Sequence, residues 1–442
     1  MRHDRESFKT IDVADIKHTE PPRLRRAERR QIELRACDLE SLLPEDHRAR
    51  LVWEAVEQLD LSDFYAAVST RLDTPGRPAT DPKILLALWV YATSEAVGSA
   101  RHLERLCTRD HAYIWLCGGV TVNRTMLAEF RVDHGDKLDA LLTKLLAVLM
   151  NQGLLSLRRV AQDGVRVRAS AGASSFRRRT TLEQHLQQAK DQVQTLKQEL
   201  DDDPASSTSR EQKSRERALA RRKAKLERAL AEMPKVEEAK ARNPPKKGKR
   251  GTEARVSTTD PEARVMKMGD GGWRPAYNIQ FATDTESRFI VGVDVLNVGS
   301  DGGQLLPMLD QLKARTGKSP QDYLADGSYA KLSDVHALEH QGIRVFAPVP
   351  TPRREGVDRY ARKNGDTELV AAWRARMGTE DAKKIYVERG ATIETVNADL
   401  RAHRGLQQLP VRGRNKVKAL ALLHALTFNL LRLPRALLAA PV

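Results

Sequence analysis

The stretch LRRVAQDGVRVRA, residues 157–169, decides the fold. Its Val-rich alternation has the period of two that a half-buried strand requires, and it follows more than a hundred residues of helical periodicity. It predicts two short strands meeting at Asp163-Gly164, or one bent strand. Downstream, AYNIQFATD (276–284) and FIVGVDVLNV (289–298) predict two more strands, and Asp301 can cap a helix through QLLPMLDQLKA. A short strand DYLAD (322–326), a helix from Leu332 to His340, a strand IRVFAPV (343–349) and closing helices complete the pattern. Hairpin strands followed by crossovers predict an α/β mixed sheet flanked by helices.

Working outward from that core, residues 35–150 read as an all-helical N-terminal domain. Thr80 or Asp81 caps a helix whose first position is Pro82, running through ILLALWVYATSEAV. Gly98 and Ser99 break it, a second helix carries Leu103 and Leu106, and a third begins near Thr125. Residues 1–34, ending close to PPRLRRAERR, read as a flexible basic arm, and 433–442 as a tail. The core, 151–176 and 251–432, is interrupted by an insertion at 177–250. There Leu182, Leu186, Ala189, Val193, Leu196 and Leu200 follow the 4-3-4-3-4 spacing of a coiled-coil seam. DDDPASSTS (201–209) makes a turn, and Leu219, Leu226, Leu230 and Met233 continue an antiparallel partner helix. RNPPKKGKR (242–250) reads as a basic tether. The seam closes on itself or on a second copy, and the basic helix reads either as a solvated face or as a DNA-facing one.

The chain has 75 Lys and Arg against 59 Asp and Glu, a formal charge of +16. That excess favours a polyanion, nucleic acid before an anionic membrane surface. Cys37, Cys107 and Cys117 form no CxxC and have no His pair at zinc spacing. The N-terminal residues lack the apolar core of a signal peptide, and Ala419 to Leu431 is too short to span a bilayer, so the expected location is the cytoplasm. Asp163 and Asp326 each close a strand and precede Gly; each alone is also an ordinary turn signal. Glu394 lies in the helix-compatible YVERGATIETVNADLR (386–401), where a lone Glu is otherwise a surface residue.

Taken together, these segments resemble the DDE transposases of bacterial insertion sequences, and most of all the insertion-sequence-1182-like branch. The matching segments are DGVRVRASAG (163–172), STTDPEARVMKM (257–268), AYNIQFATD, and Asp326 with Tyr329 for the D-x-G-Y element. Tyr386, Arg389, Glu394 and Arg401 match the final signature, and GRPATDPKILLALWVYA (76–92), SARHLERL (99–106) and AEFR (128–131) match the N-terminal part. The resemblance spans roughly residues 35–432. Ser328 stands where the family has Gly, Arg401 where it more often has Lys, and Asn397-Ala398 where an aromatic-Gly pair is usual.

The resemblance implies a ribonuclease-H-like catalytic domain. In it Asp163, Asp326 and Glu394 would hold two Mg²⁺ ions, with Mn²⁺ able to substitute. Tyr386, Arg389 and Arg401 would position phosphates. It further implies double-stranded DNA partners, both terminal inverted repeats and target, a homo-oligomer on paired ends and association with the nucleoid. The N-terminal domain would bind the repeats. Two other acids compete for the carboxylate roles: Asp301, which reads better as a helix cap, and Glu388, six residues from Glu394 and so off its helical face. Trp273 reads as core or as a stacking platform for an unpaired base. A repressor remnant without catalysis and a non-transposing nuclease are the alternative functions.

Overall fold

The computed structural model describes residues 38–70, 78–202, 209–242, 253–352 and 354–433. The expected basic arm, the tail from 434, the hairpin tip and most of the tether lie outside the described residues. The N-terminal helices are α1 (Arg48–Glu57), α2 (Ser62–Ala66), α3 (Pro82–Ser94), α4 (Ala100–Leu106), α5 (His111–Cys117), α6 (Arg124–Asp133) and α7 (Gly135–Asn151). Asp81 caps α3 by accepting from the Lys83 amide, with Pro82 in the first turn where its missing N–H costs nothing. Ser99 caps α4 and Asn123 caps α6. The expected third helix is two, separated at His134.

The sheet is built from β1 (Arg159–Arg168), β4 (Arg264–Lys267), β5 (Trp273–Asp284), β6 (Ile290–Leu296), β7 (Asp322–Ala325) and β8 (Arg344–Phe346). Its order is β4-β5-β1-β7-β8, with β6 also on β5, beyond β4 along the same edge. β1, β5 and β6 are antiparallel, whereas β7 and β8 run parallel to β1. Helices α10 (Leu305–Thr316) and α11 (Leu332–His340) make the crossovers. α12 (Glu368–Met377), α13 (Glu380–Arg389), α14 (Thr395–Ala402) and α15 (Arg414–Leu430) close the chain. This is the mixed, helix-flanked sheet that the strand pattern predicts. β1 is a single strand: Asp163 and Gly164 sit in its middle, opposite Phe281 and Gln280, so that Asp-Gly is neither a strand end nor a turn.

The insertion grows from a two-stranded ribbon, β2 (Phe176–Arg177) with β3 (Val256–Ser257), strands too short for a sequence period to reveal. Helices α8 (Arg179–Asp202) and α9 (Ser209–Arg242) then form a hairpin. Leu182 and Ala189 pack with Leu226, Ala229, Met233, Val236 and Val256 in a core separate from the main one. The seam therefore closes on its own hairpin, and Arg179 paired with Glu237 at 2.6 Å fastens the base.

The apolar 419–431 segment falls almost wholly in α15, which packs against α3, α6 and α7 on one side and β6 on the other. One continuous hydrophobic core thus joins the N-terminal helices to the sheet. No helix among the described residues is long and apolar enough to cross a membrane. Buried Asn429 binds the first residue of β6 as a backbone would, accepting from Ile290 N at 2.8 Å and donating to Ile290 O at 2.9 Å. Replacing it by Leu leaves two buried backbone groups without partners. Asn429→Leu is therefore expected to lose about 2 kcal/mol or more, read from the denaturant midpoint; an unchanged midpoint would show that water or a shift of β6 compensates.

Candidate active site

The pairing of β1 with β7 ends at Gln162 opposite Ala325. The next residue on each strand is a carboxylate, so Asp163 and Asp326 emerge side by side at the carboxyl end of the parallel pair. Asp163 is part-buried, and its Oδ1 accepts from Gly164 N at 2.9 Å. Its Oδ2 accepts from Asn397 Nδ2 at 3.2 Å and lies 3.6 Å from Arg389 Nη1. Burial pushes the Asp163 carboxyl above its ordinary pKa, against the pull of Arg389 and the Gly164 amide, and the neighbouring Asp301 and Asp326 add to the rise. Asp326 caps the short turn Gly327–Tyr329, accepting from Gly327 N at 2.6 Å and from the Ser328 hydroxyl at 3.3 Å.

Glu394 arrives by an unusual route. Between α13 and α14 the helix widens into a π turn, Gly390–Glu394. Glu394 follows Arg389 by five positions, which on an α-helix would place them about 140° apart. The wider turn brings them onto one face, and Arg389 Nη2 donates to Glu394 Oε1 at 2.8 Å. Buried Ile393 holds this turn against β1 and β5, and the Thr392 hydroxyl satisfies Glu388 O at 2.7 Å. Arg389 thus lies between Asp163 and Glu394. Burial disfavours its charge, but Tyr386, Asp163 and Glu394 outweigh that and hold its pKa above the ordinary value. Its Nε donates to the Tyr386 hydroxyl at 3.3 Å.

The other sequence candidates fall elsewhere. Arg401 is exposed on α14 with no described contact to the carboxylates. Glu388 pairs with Arg159, which also holds buried Asp322, at the far end of β1. Trp273 is 68% exposed, which removes its reading as core. The reading of Asp301 as a helix cap is corrected: α10 starts at Leu305, with Gln304 at the cap position. Asp301 instead turns into the site, accepting from Asn278 Nδ2 at 2.6 Å and Gln280 Nε2 at 3.0 Å. The Asp-Gly-Gly run before an apolar helix imitates a cap signal, which concealed it. Asn278, Gln280 and Asn397 also escape a sequence reading, because buried amides on strands and helices leave no periodic signature.

Beneath Gly164 runs a buried polar network. Gln162 Nε2 donates to Gln280 Oε1 at 3.0 Å, and the hydroxyl of Tyr323 donates to Gln162 Oε1 at 2.7 Å. The hydroxyl of Tyr329 donates to the same Gln280 oxygen. A Cβ on residue 164 would meet Gln280 Nε2, Asn278 Oδ1 and Asp301 Oδ1, all at 2.7 Å or less, so only Gly fits. Asp163, Asp326 and Glu394 offer hard oxygens, the donors that Mg²⁺ and Mn²⁺ prefer. Among the described residues no three acidic, His or Cys side chains stand close enough to hold an ion as they are. Arg389 supplies positive charge between two of them. The donor chemistry fits a divalent ion, provided that Arg389 yields its place.

A parallel-antiparallel sheet of this order, with carboxylates at the end of its central pair, defines a ribonuclease-H-like core of the polynucleotidyl transferase and endonuclease type. Residues 246–430 match the family described as transposase DDE domain, and residues 37–133 match a second, transposase domain (DUF772). The chain thus carries a DDE transposase domain and a second transposase domain, both typical of bacterial insertion-sequence transposases. Searches of curated proteins and of solved structures find no match.

Gly164→Ala is expected to force Asn278, Gln280 and Asp301 apart, at about 1–3 kcal/mol of overpacking. Chemical denaturation reads the loss. Wild-type stability in that variant would mean that the network beside Asp163 is loosely held.

Proposed function

We propose that this transposase, as a member of the insertion-sequence-1182-like branch, cleaves DNA at the inverted repeats of its element and joins the freed 3′-hydroxyls to target DNA. Asp163, Asp326 and Glu394 would hold the metal. The observation that carries this reading is the end of the β1–β7 register, which delivers two aspartates together while the π turn presents Glu394 and Arg389 from the opposite side. Two Mg²⁺ ions held here would activate the attacking oxygen and stabilise the leaving one. The chain's own groups have separate tasks. Asn397 orients Asp163, the Gly327 amide and Ser328 orient Asp326, and Tyr386 steers Arg389. Arg389, released from the carboxylates when metal binds, is placed to take a DNA phosphate with its planar donors. Exposed Arg401 would meet the backbone farther along the duplex. The N-terminal helices would grip the inverted repeats, and two copies would pair the two ends.

Asp163→Asn, Asp326→Asn and Glu394→Gln are each expected to abolish Mg²⁺-dependent cleavage of an end duplex while gel-shift affinity survives. Cleavage at the wild-type rate by one of them would remove that residue from the site. Loss of cleavage in all three with nicking retained in chelator would turn the reading towards metal-free chemistry.

The hairpin belongs to the same reading. Its apolar seam is filled from within, so what it offers outward is charge: Arg210, Lys213, Arg215, Arg217, Arg221, Arg222, Lys225 and Arg228 all lie along α9, most of them exposed. A solvated face would carry both signs more evenly. Reversing Arg215, Arg217 and Arg221 to Glu should leave sedimentation unchanged. It should weaken DNA binding and flatten its salt dependence by about 0.9 in log–log slope for each phosphate that the variant no longer neutralises. An unaltered salt slope would show that the hairpin is a spacer.

A further inference from the structure

We infer that Asp301 is a fourth carboxylate of the metal site, its Oδ2 serving as a ligand to a divalent ion shared with Asp326. The inference rests on the reading of Asp163, Asp326 and Glu394 as metal ligands. The side chain of Asp301 is only 12% exposed. Its Oδ1 is saturated by the two amide donors of Asn278 and Gln280. Oδ2 has no comparable partner. The Ser328 hydroxyl reaches it only at 3.5 Å, and Arg166 Nη2 stands 3.8 Å away. Arg166 is itself committed to Lys267 O and Gly299 O, each at 2.9 Å. A carboxylate withdrawn from water without a full counter-charge is costly unless a cation completes it.

Three further observations point to a cation in this cleft. The Ser328 hydroxyl lies 3.5 Å from Asp301 Oδ2 and 3.3 Å from Asp326 Oδ2; its single proton serves one at a time, so the two oxygens converge on one small group. Fully buried Asn278 fixes Asp301 through its nitrogen, while its Oδ1 has no partner and lies 2.6 Å from where a Gly164 Cβ would be, beside Asp163. Asn397, 7% exposed, donates to Asp163 and likewise leaves its Oδ1 unpartnered. Four carboxylates, Asp163, Asp301, Asp326 and Glu394, therefore share the cleft with two guanidiniums, Arg166 and Arg389. The excess is negative, with two carboxylates to one guanidinium on each side: Arg166 stands 3.8 Å from Asp301, and Arg389 lies between Asp163 and Glu394. Ser328, where the resembling family has Gly, sets a hydroxyl between the two oxygens.

The test uses the full chain and Mn²⁺ alone. Asp301→Asn keeps an oxygen for Asn278 and Gln280 and replaces only the outward anionic atom. Mn²⁺ binding, followed by electron paramagnetic resonance, is expected to lose one ion or to weaken roughly tenfold, within the range usual for altered metal sites. The melting temperature without metal should hold or rise, since the variant removes a buried charge and keeps the acceptor for Asn278 and Gln280. If the variant melts lower, the rise that Mn²⁺ gives above its own metal-free baseline is compared, and this too should shrink. Asp301→Glu, which restores a carboxylate, should recover part of the binding; a merely structural acceptor would not discriminate in this way. Wild-type Mn²⁺ stoichiometry and affinity in Asp301→Asn overturn the inference. Asp163→Asn is the control that separates the two readings. If it loses Mn²⁺ while Asp301→Asn does not, only Asp301 leaves the site; if neither loses it, the whole metal site is elsewhere.

Discussion

The structure depends on the parallel pairing of two short strand segments, Arg159–Gln162 with Asp322–Ala325, and on the ion pairs that lock it at its start. Asp322 is fully buried and accepts from Arg159 on one neighbouring strand and Arg344 on the other. One carboxylate therefore ties three strands. Arg159 reaches further, to Glu388 near the end of α13, which fixes the phase of that helix relative to β1. Removing one partner of such a buried group leaves an uncompensated charge, so the register has little freedom to slip. At the opposite end of the same four-residue ladder the two aspartates emerge. Their juxtaposition is a consequence of counting residues from a pinned start.

The same pinning explains the π turn. With Glu388 held by Arg159 and Ile393 buried against the sheet, an α-helix through 389–394 would point Arg389 and Glu394 in different directions. The extra residue in the turn reconciles both anchors and gathers acid and guanidinium on one face. Electrostatically this matters because like charges crowd the cleft and burial already resists ionisation of Asp163. Arg389 supplies the counter-charge while the polar network under Gly164 supplies dipoles. Donors held in advance at low dielectric cost no reorganisation when substrate charge arrives.

Most of the sheet was legible because its strands obey the period of two and its crossovers obey helical spacing. The coiled-coil hairpin was legible from its leucines. What escaped has specific causes. Asp163-Gly164 looks like a turn, yet Gly is there to make room for Asn278, Gln280 and Asp301, a packing requirement that only three-dimensional proximity reveals. Asp301 looks like a cap, yet the helix begins four residues later. The two-residue ribbon strands and β4 are below the length at which alternation carries information. Trp273 at a strand start looks like core, but it pairs only with the end of the edge strand β4, at Lys267, and its ring lies in solvent. Spacing alone could not show that residues five apart meet, because that needs a turn wider than the α-helical one.

The C-terminal helix connects these local facts into one body. α15 is buried almost throughout and touches both the N-terminal helices and β6. Asn429 at its end completes the backbone bonding of Ile290, where the pairing of β5 with β6 shifts register. From β6 the chain passes directly into the loop that carries Asp301. A force applied to α3, α6 or α7 is therefore transmitted through a packed helix to the strand that feeds the site, with no flexible connection between. Close-packed interiors transmit strain instead of absorbing it. The N-terminal helices and the carboxylate cleft thus share one core, so a displacement of the first acts on a scaffold continuous with the second.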